Sequence, residues 1–92
     1  MYFITTIDSK TDDTRCVGYY SDFKKAEDCV LDNLFDIYET CYNYAVIENV
    51  TEGLYHYDDN PTWYEWNNEH KKYEKMAKSP EKYKRLTGFA IG

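Results

Sequence analysis

Long apolar stretches are missing from this chain. Nothing in it approaches the roughly 20 consecutive apolar residues of a membrane span, so the sequence offers no helical bilayer crossing. Aliphatic side chains are also few. Mean hydropathy is −0.82, and the apolar fraction reaches 42% only because it includes 11 tyrosines. A core built from such a chain must lean on aromatic rings, which bury large areas but keep a polar tip. The opening Met1-Tyr2-Phe3-Ile4 lacks the basic leader and long apolar stretch of a signal peptide, so the expectation is a soluble, cytoplasmic protein. With 92 residues it makes one domain, near the lower end of what folds without staples.

Paired cysteines are absent as well. Cys16, Cys29 and Cys41 are odd in number and show no Cys-x-x-Cys spacing, so they read as reduced, half-buried small hydrophobes. A zinc site would need His56 or His70 to converge with these scattered positions, and no spacing supports that. Neither a metal nor a cofactor is expected. The chain has no G-x-S-x-G, no P-loop and no HExxH. His56 sits beside Asp58 and Asp59 without an evident nucleophile, and His70 falls in a predicted turn. Glu48, on a predicted strand, is either a buried carboxylate suited to acid chemistry or one paired with Lys or Tyr, and the paired reading is preferred. The sequence therefore points away from an enzyme.

What is present reads as an α+β domain of order ββα-βββ-α-β, with an antiparallel or mixed sheet and one main helix on a face. Residues 2–7 (YFITTI) and 15–20 (RCVGYY) are β-rich and predict a hairpin across the polar stretch Ser9 to Thr14. Ser21 or Asp22 offers a helix N-cap. Phe23, Ala26, Val30, Leu34 and Ile37 follow at spacings of three and four, which predicts a helix from about Asp22 to Tyr38. Residues 43–50 (NYAVIENV) are apolar on both faces, with Tyr44, Val46 and Glu48 on one and Ala45 and Ile47 on the other, which suits a central strand. An irregular aromatic loop, Leu54 to Pro61, leads to a second hairpin made by 62–67 and 71–76 around Asn67-Asn68. Ser79-Pro80-Glu81 predicts a short helix to about Leu86, and Gly88 to Ile91 a closing strand.

Charge is distributed unevenly. Residues 1–66 hold 14 acids and 4 bases, and residues 67–92 hold 3 acids and 7 bases, within an overall net of −6. Asp28, Asp32 and Asp36 stand four apart on the predicted helix, roughly 6 Å from one to the next. Like charges at that spacing repel, each pair costing a few tenths of a kcal/mol. A solvated helix face explains the row in the plainest way. The functional alternative is an acidic ridge that imitates phosphates and occupies a basic, nucleic-acid-binding surface of another protein.

The segment from Tyr55 to Tyr73 concentrates aromatic rings, and Tyr57, Trp63, Tyr64 and Trp66 are its candidate interface anchors. On a strand, Tyr64 and Trp66 share one face while Trp63 and Glu65 share the other, so one set packs inward and the other is open to a partner. Core duty alone also accounts for most of these rings in a chain so poor in Leu and Ile. Lysines follow among the aromatics. Lys71, Lys72 and Arg85 are candidate phosphate contacts if the chain instead binds a nucleotide, with a base stacked on Trp63, Tyr64 or Trp66. A solubilising lysine surface is the simpler reading of that stretch.

Five segments, the opening YFITTID, GYYSDFKKAEDCV, YAVIENVTEGLY, WYEWN and the closing GFAIG, together resemble a small family associated with phages, prophages and gut Firmicutes. The resemblance covers nearly the whole chain but attaches no catalytic residue to any of these segments. It implies a mobile-element setting inside a bacterial host, where small acidic proteins often inhibit host defence, anti-CRISPR proteins among them, and others sequester nucleotide messengers. The leading expectation is a non-catalytic inhibitor of a bacterial defence protein or ribonucleoprotein, working through Asp28, Asp32 and Asp36 and the aromatic patch. The alternative expectation is a nucleotide-binding sponge, for which a homo-oligomer would provide the pocket.

Overall fold

A computed structural model describes residues 1–34, 42–53, 60–80 and 83. In chain order the elements are β1 (Tyr2–Asp8), β2 (Asp13–Tyr20), α1 (Phe23–Leu31), β3 (Tyr44–Asn49), β4 (Thr62–Asn67) and β5 (Lys72–Lys75). The five strands form one sheet in the order β2-β1-β3-β4-β5. Every neighbouring pair is antiparallel. The α+β class and its ββα-βββ order are thus present. The expected helix after Pro80 and strand at Gly88 lie outside the described residues, apart from Tyr83, whose N–H donates to the Pro80 carbonyl (3.0 Å).

The side-chain period of two explains how the sheet is filled. On one face Ile4, Ala45, Ile47, Tyr64 and Tyr73 meet Ala26, Cys29 and Val30 of α1. On the other, Ile7, Val46, Trp63 and Tyr83 form a second cluster, with Tyr44 and Met76 against it. Ala45, Val46, Ile47 and Glu48 are all buried, as a strand covered on both sides requires. β3 is the central strand that its apolar pattern predicts.

The β1–β2 hairpin turns where the polar stretch sits. Asp12 adopts φ 62° and its N–H donates to the Asp8 carbonyl (2.7 Å). The ladder slips once, since Ile4 faces Gly18 while Thr5 faces Cys16. Val17 is the extra residue, a bulge that adds local twist to this edge strand. In the second hairpin, Asn67 Oδ1 accepts from the N–H groups of Glu69 (2.9 Å) and His70 (3.1 Å). Such an Asx-type turn reverses the chain without needing glycine.

α1 starts as expected and stops early. The Asp22 carboxylate accepts from the Lys24 N–H (3.0 Å), the N-cap bond. Phe23 then packs edge-on against Tyr2, with ring centres 5.6 Å apart. The apolar stripe predicts a helix to about Tyr38, whereas α1 ends at Leu31 with Asp32 as its C-cap. Asn33 stands at φ 52°, the left-handed region. The Leu34 N–H reaches back to the Cys29 carbonyl (3.0 Å) and the Asn33 N–H to the Val30 carbonyl (3.1 Å). That pair of bonds is a Schellman terminator, and it leaves Leu34 67% exposed although it belongs to the stripe. Asn tolerates this backbone better than residues without a short polar side chain, so Asn33→Ala should cost about 1–2 kcal/mol in a urea titration. An unchanged midpoint would mean that the terminator contributes nothing to stability.

Candidate partner-binding surface

The expected acidic row is only partly a helix face. Asp28 lies in the last turn of α1, exposed, and its carboxylate pairs with Lys24 Nζ at 3.0 Å. That hydrogen bond holds the Lys24 ammonium above its ordinary range, with Glu27 and Asp32 adding in the same sense. Asp32 is the exposed C-cap, and Asp36 lies outside the described residues. Three carboxylates on one unbroken helix are therefore not what the structure shows, because Asn33 ends the helix between the second and the third. Asp28 is also compensated, by a lysine four residues before it.

A different feature of these acids stands out. A helix C-terminus carries partial negative charge and favours Lys, Arg or His nearby. The last turn of α1 has no basic residue. Asp28 and the Asp32 cap put carboxylates there instead, one turn apart and in water. The chain accepts an unfavourable interaction at this end of the helix.

The aromatic patch is corrected more strongly. Trp63 is 3% exposed, stacks on Tyr83 (6.1 Å between rings, 12° between planes) and meets Tyr44 edge-on (6.4 Å). Tyr64 is fully buried against α1, and its hydroxyl donates to Glu27 Oε2 (2.6 Å). Trp66 is half-buried, edge-on to buried Tyr73 (5.2 Å). Both faces of β4 are covered, so Trp63 and Tyr64 are core residues and are unavailable as anchors. Tyr57 lies outside the described residues, as do His56 and Cys41. The aromatic ring most open to solvent among the described residues is one the sequence did not single out. Tyr19 on β2 is 62% exposed and leans on Phe3 of β1, ring centres 5.4 Å apart. Cys16, three residues before it on the same edge, is an exposed thiol, whereas Cys29 is buried in the core.

Two of the three basic candidates fall among the described residues. Lys71 sits in the β4–β5 turn at φ 55°, its Nζ donating to Asn68 Oδ1 (3.0 Å). Lys72 begins β5, exposed, and Arg85 lies outside the described residues. A nearby open concavity of about 490 Å³ is walled partly by Trp66, Asn67, Glu65, Glu74 and Lys75. Glu65 and Glu74 are direct cross-strand partners. Like charges at that spacing repel each other and any phosphate brought between them.

His70 is part of the turn. Its Nδ1 lies 3.2 Å from Glu74 Oε2, and Asn67 Nδ2 donates to Glu74 Oε1 (2.9 Å). The Asn67 hydrogen bond, and after it His70, hold the Glu74 carboxyl below the usual range. Glu48 is buried on the face away from α1, where β3 places it opposite Phe3. Thr5 Oγ1 and Trp63 Nε1, on that same face, are buried with no hydrogen-bond partner among the described residues. Among the described residues no three His, Cys, Asp or Glu side chains are placed to share a metal ion, and no helix is long and apolar enough to cross a membrane.

No protein-family model, curated protein or solved structure matches the chain.

Proposed function

We propose that this chain is a non-catalytic, phage-type inhibitor that acts in the bacterial cytoplasm by binding a protein of host defence. A CRISPR effector is one target class that the mobile-element setting of the resemblance suggests. The observation that carries the reading is the pair of exposed carboxylates, Asp28 and Asp32, at the end of α1 where the helix dipole favours bases. Charges kept at a local cost to stability are explained by what they meet outside the fold. A basic phosphate-binding surface is the complement, and the surplus of acids over residues 1–66 strengthens the field around it.

The test uses the tagged chain co-expressed with candidate defence ribonucleoproteins and analysed by native mass spectrometry. Replacing both Asp28 and Asp32 by Asn should weaken the complex at least about 10-fold, as expected for removing buried interfacial charge pairs. The same double variant should keep its thermal midpoint nearly unchanged, because the loss of the exposed Lys24–Asp28 pair offsets the relief of two charges opposed to the dipole. Undiminished binding by the double variant would overturn the reading, and so would a defence-protein complex that never forms.

A further inference from the structure

α1 ends in a way that holds a leucine in water. The N–H groups of Leu34 and Asn33 return to the Cys29 and Val30 carbonyls, which ties down the backbone there. Terminators of this kind usually close with an apolar contact from the residue after the left-handed one to a position five or six before it. Here those positions are Cys29, turned into the core, and Asp28, exposed and charged. Leu34 is left 67% exposed, and Leu31, three residues earlier, 37%. A scattered surface leucine is ordinary. Leu34 differs, because the motif that fixes it normally covers it. Its surroundings in the sequence are of one sign. From Ala26 to Asn43 there are five acids and neither Lys nor Arg. The bases of α1, Lys24 and Lys25, lie in its first turn, and Lys24 is paired to Asp28 at 3.0 Å.

We infer that Leu34, supported by Leu31, is the apolar anchor of the partner-binding surface, and that a protein partner receives it in an apolar pocket bordered by Lys or Arg. The inference rests on the reading that the chain binds a protein partner through the end of α1, and it adds what that partner's surface must contain. Carboxylates alone would suit any basic groove. A leucine among them gains only from a pocket that takes it out of water. Preorganisation favours the role, since an anchor whose main chain is already hydrogen-bonded loses little freedom on docking. Charge selects the rim of the pocket and decides against other occupants. Symmetric pairing of two copies at this end would set Asp28 and Asp32 of each against those of the other, and each copy carries a net charge of −6. A nucleic acid or an anionic membrane meets the same repulsion.

The probes are two ring sugars with the same apolar cavity, β-cyclodextrin bearing ammonium groups on its rim and β-cyclodextrin bearing carboxylates. Each is titrated into the full chain with isotope-labelled leucine methyl groups. The ammonium form should shift the Leu34 methyl signals and bind there at least about 10-fold tighter than the carboxylate form. Leu34→Ser, at a position largely in water, should move the thermal midpoint by less than about 3 °C. The same variant should cut the affinity read at the Leu31 methyls about 10-fold, and weaken a co-expressed defence-protein complex by a similar factor. Leu34 signals that do not shift, equal affinity for the two rims, or Leu34-dependent self-association that rises with protein concentration would overturn the inference. If an Asp28- and Asp32-dependent complex forms and Leu34→Ser weakens it less than about 2-fold, the anchor is wrong and the inhibitor reading stands. If Leu34 enters the ammonium-rimmed cavity and no defence-protein complex forms, the inhibitor reading is the one that fails.

Discussion

Tyr64→Phe should make this domain less stable at neutral pH and less sensitive to alkali than its parent. The Tyr64 hydroxyl is buried and donates to the Glu27 carboxylate at 2.6 Å. Burial pushes its ionisation well above the ordinary tyrosine range, and the adjacent carboxylate pushes it further. Burial does the same to Tyr73, whose hydroxyl donates to the Tyr42 carbonyl (2.7 Å). In the unfolded chain both titrate near an ordinary value of about 10. Above that pH the unfolded state releases protons that the folded state retains, so stability is full below about pH 10 and falls as pH rises. Each such tyrosine contributes a slope of about 1.4 kcal/mol per pH unit, or about 2 kcal/mol by pH 11.5. Phe at position 64 removes one of those slopes. It also removes a hydrogen bond to a charged group, worth about 1.5–3 kcal/mol at pH 7. Urea midpoints for the two proteins should therefore converge between neutral pH and about pH 11.5. Parallel curves over that range would show that Tyr64 ionises in the fold as easily as in the open chain.

Much of the sheet is legible in the sequence, because β-branched and aromatic residues cluster in its strands and a strand covered on both sides leaves a short apolar run without alternation. Residues 62–67 read as a strand and form β4 with those bounds, and 43–50 contracts by one residue at each end to give β3. The end of α1 escapes the same reasoning. Apolar spacing continues from Val30 to Leu34 and Ile37 as though the helix continued, and the backbone of Asn33 overrides it. The signal that could have found the stop is the residue type itself, since Asn is a recognised left-handed terminator after a helix.

The candidate site was less legible than the fold, for a related reason. Which aromatic rings lie in water depends on what covers each face of the sheet. α1 covers Tyr64, as its apolar stripe implies, but the cover over Trp63 is Tyr83, twenty residues further along the chain. No local pattern announces that contact. The spacing of four between Lys24 and Asp28 was readable, and it tempers the acidic row in the sequence as it does in the structure. Tyr19 looked ordinary because edge strands are defined by topology. Only the order β2-β1-β3-β4-β5 shows that its strand ends the sheet among the described residues.

Trp63→Ala is the substitution expected to cost most, and Trp63→Phe the one that explains why. Trp63 lies between Val46, its cross-strand partner on β3, and the ring of Tyr83 stacked on it. Removing the indole leaves a cavity on the face away from α1, and such truncations cost about 3–5 kcal/mol. Whole domains are held by only about 5–15 kcal/mol, so the Ala variant should be largely unfolded or close to it. The indole N–H has no hydrogen-bond partner among the described residues, so no such bond is lost. Burying an unsatisfied donor costs about 1–3 kcal/mol, and Phe removes that donor while keeping most of the ring. Trp63→Phe should therefore stay within about 1 kcal/mol of the parent. Tyr83→Ala, alone and with Trp63→Ala where enough folded protein remains to measure, closes a double-mutant cycle. Its coupling should be about 0.5–1.5 kcal/mol, the range of stacked aromatic pairs. A Trp63→Ala protein that loses less than about 1 kcal/mol but no longer binds its partner would return Trp63 to the surface as an interface anchor. Loss of stability with nonzero coupling to Tyr83 would fix it as the centre of the second core.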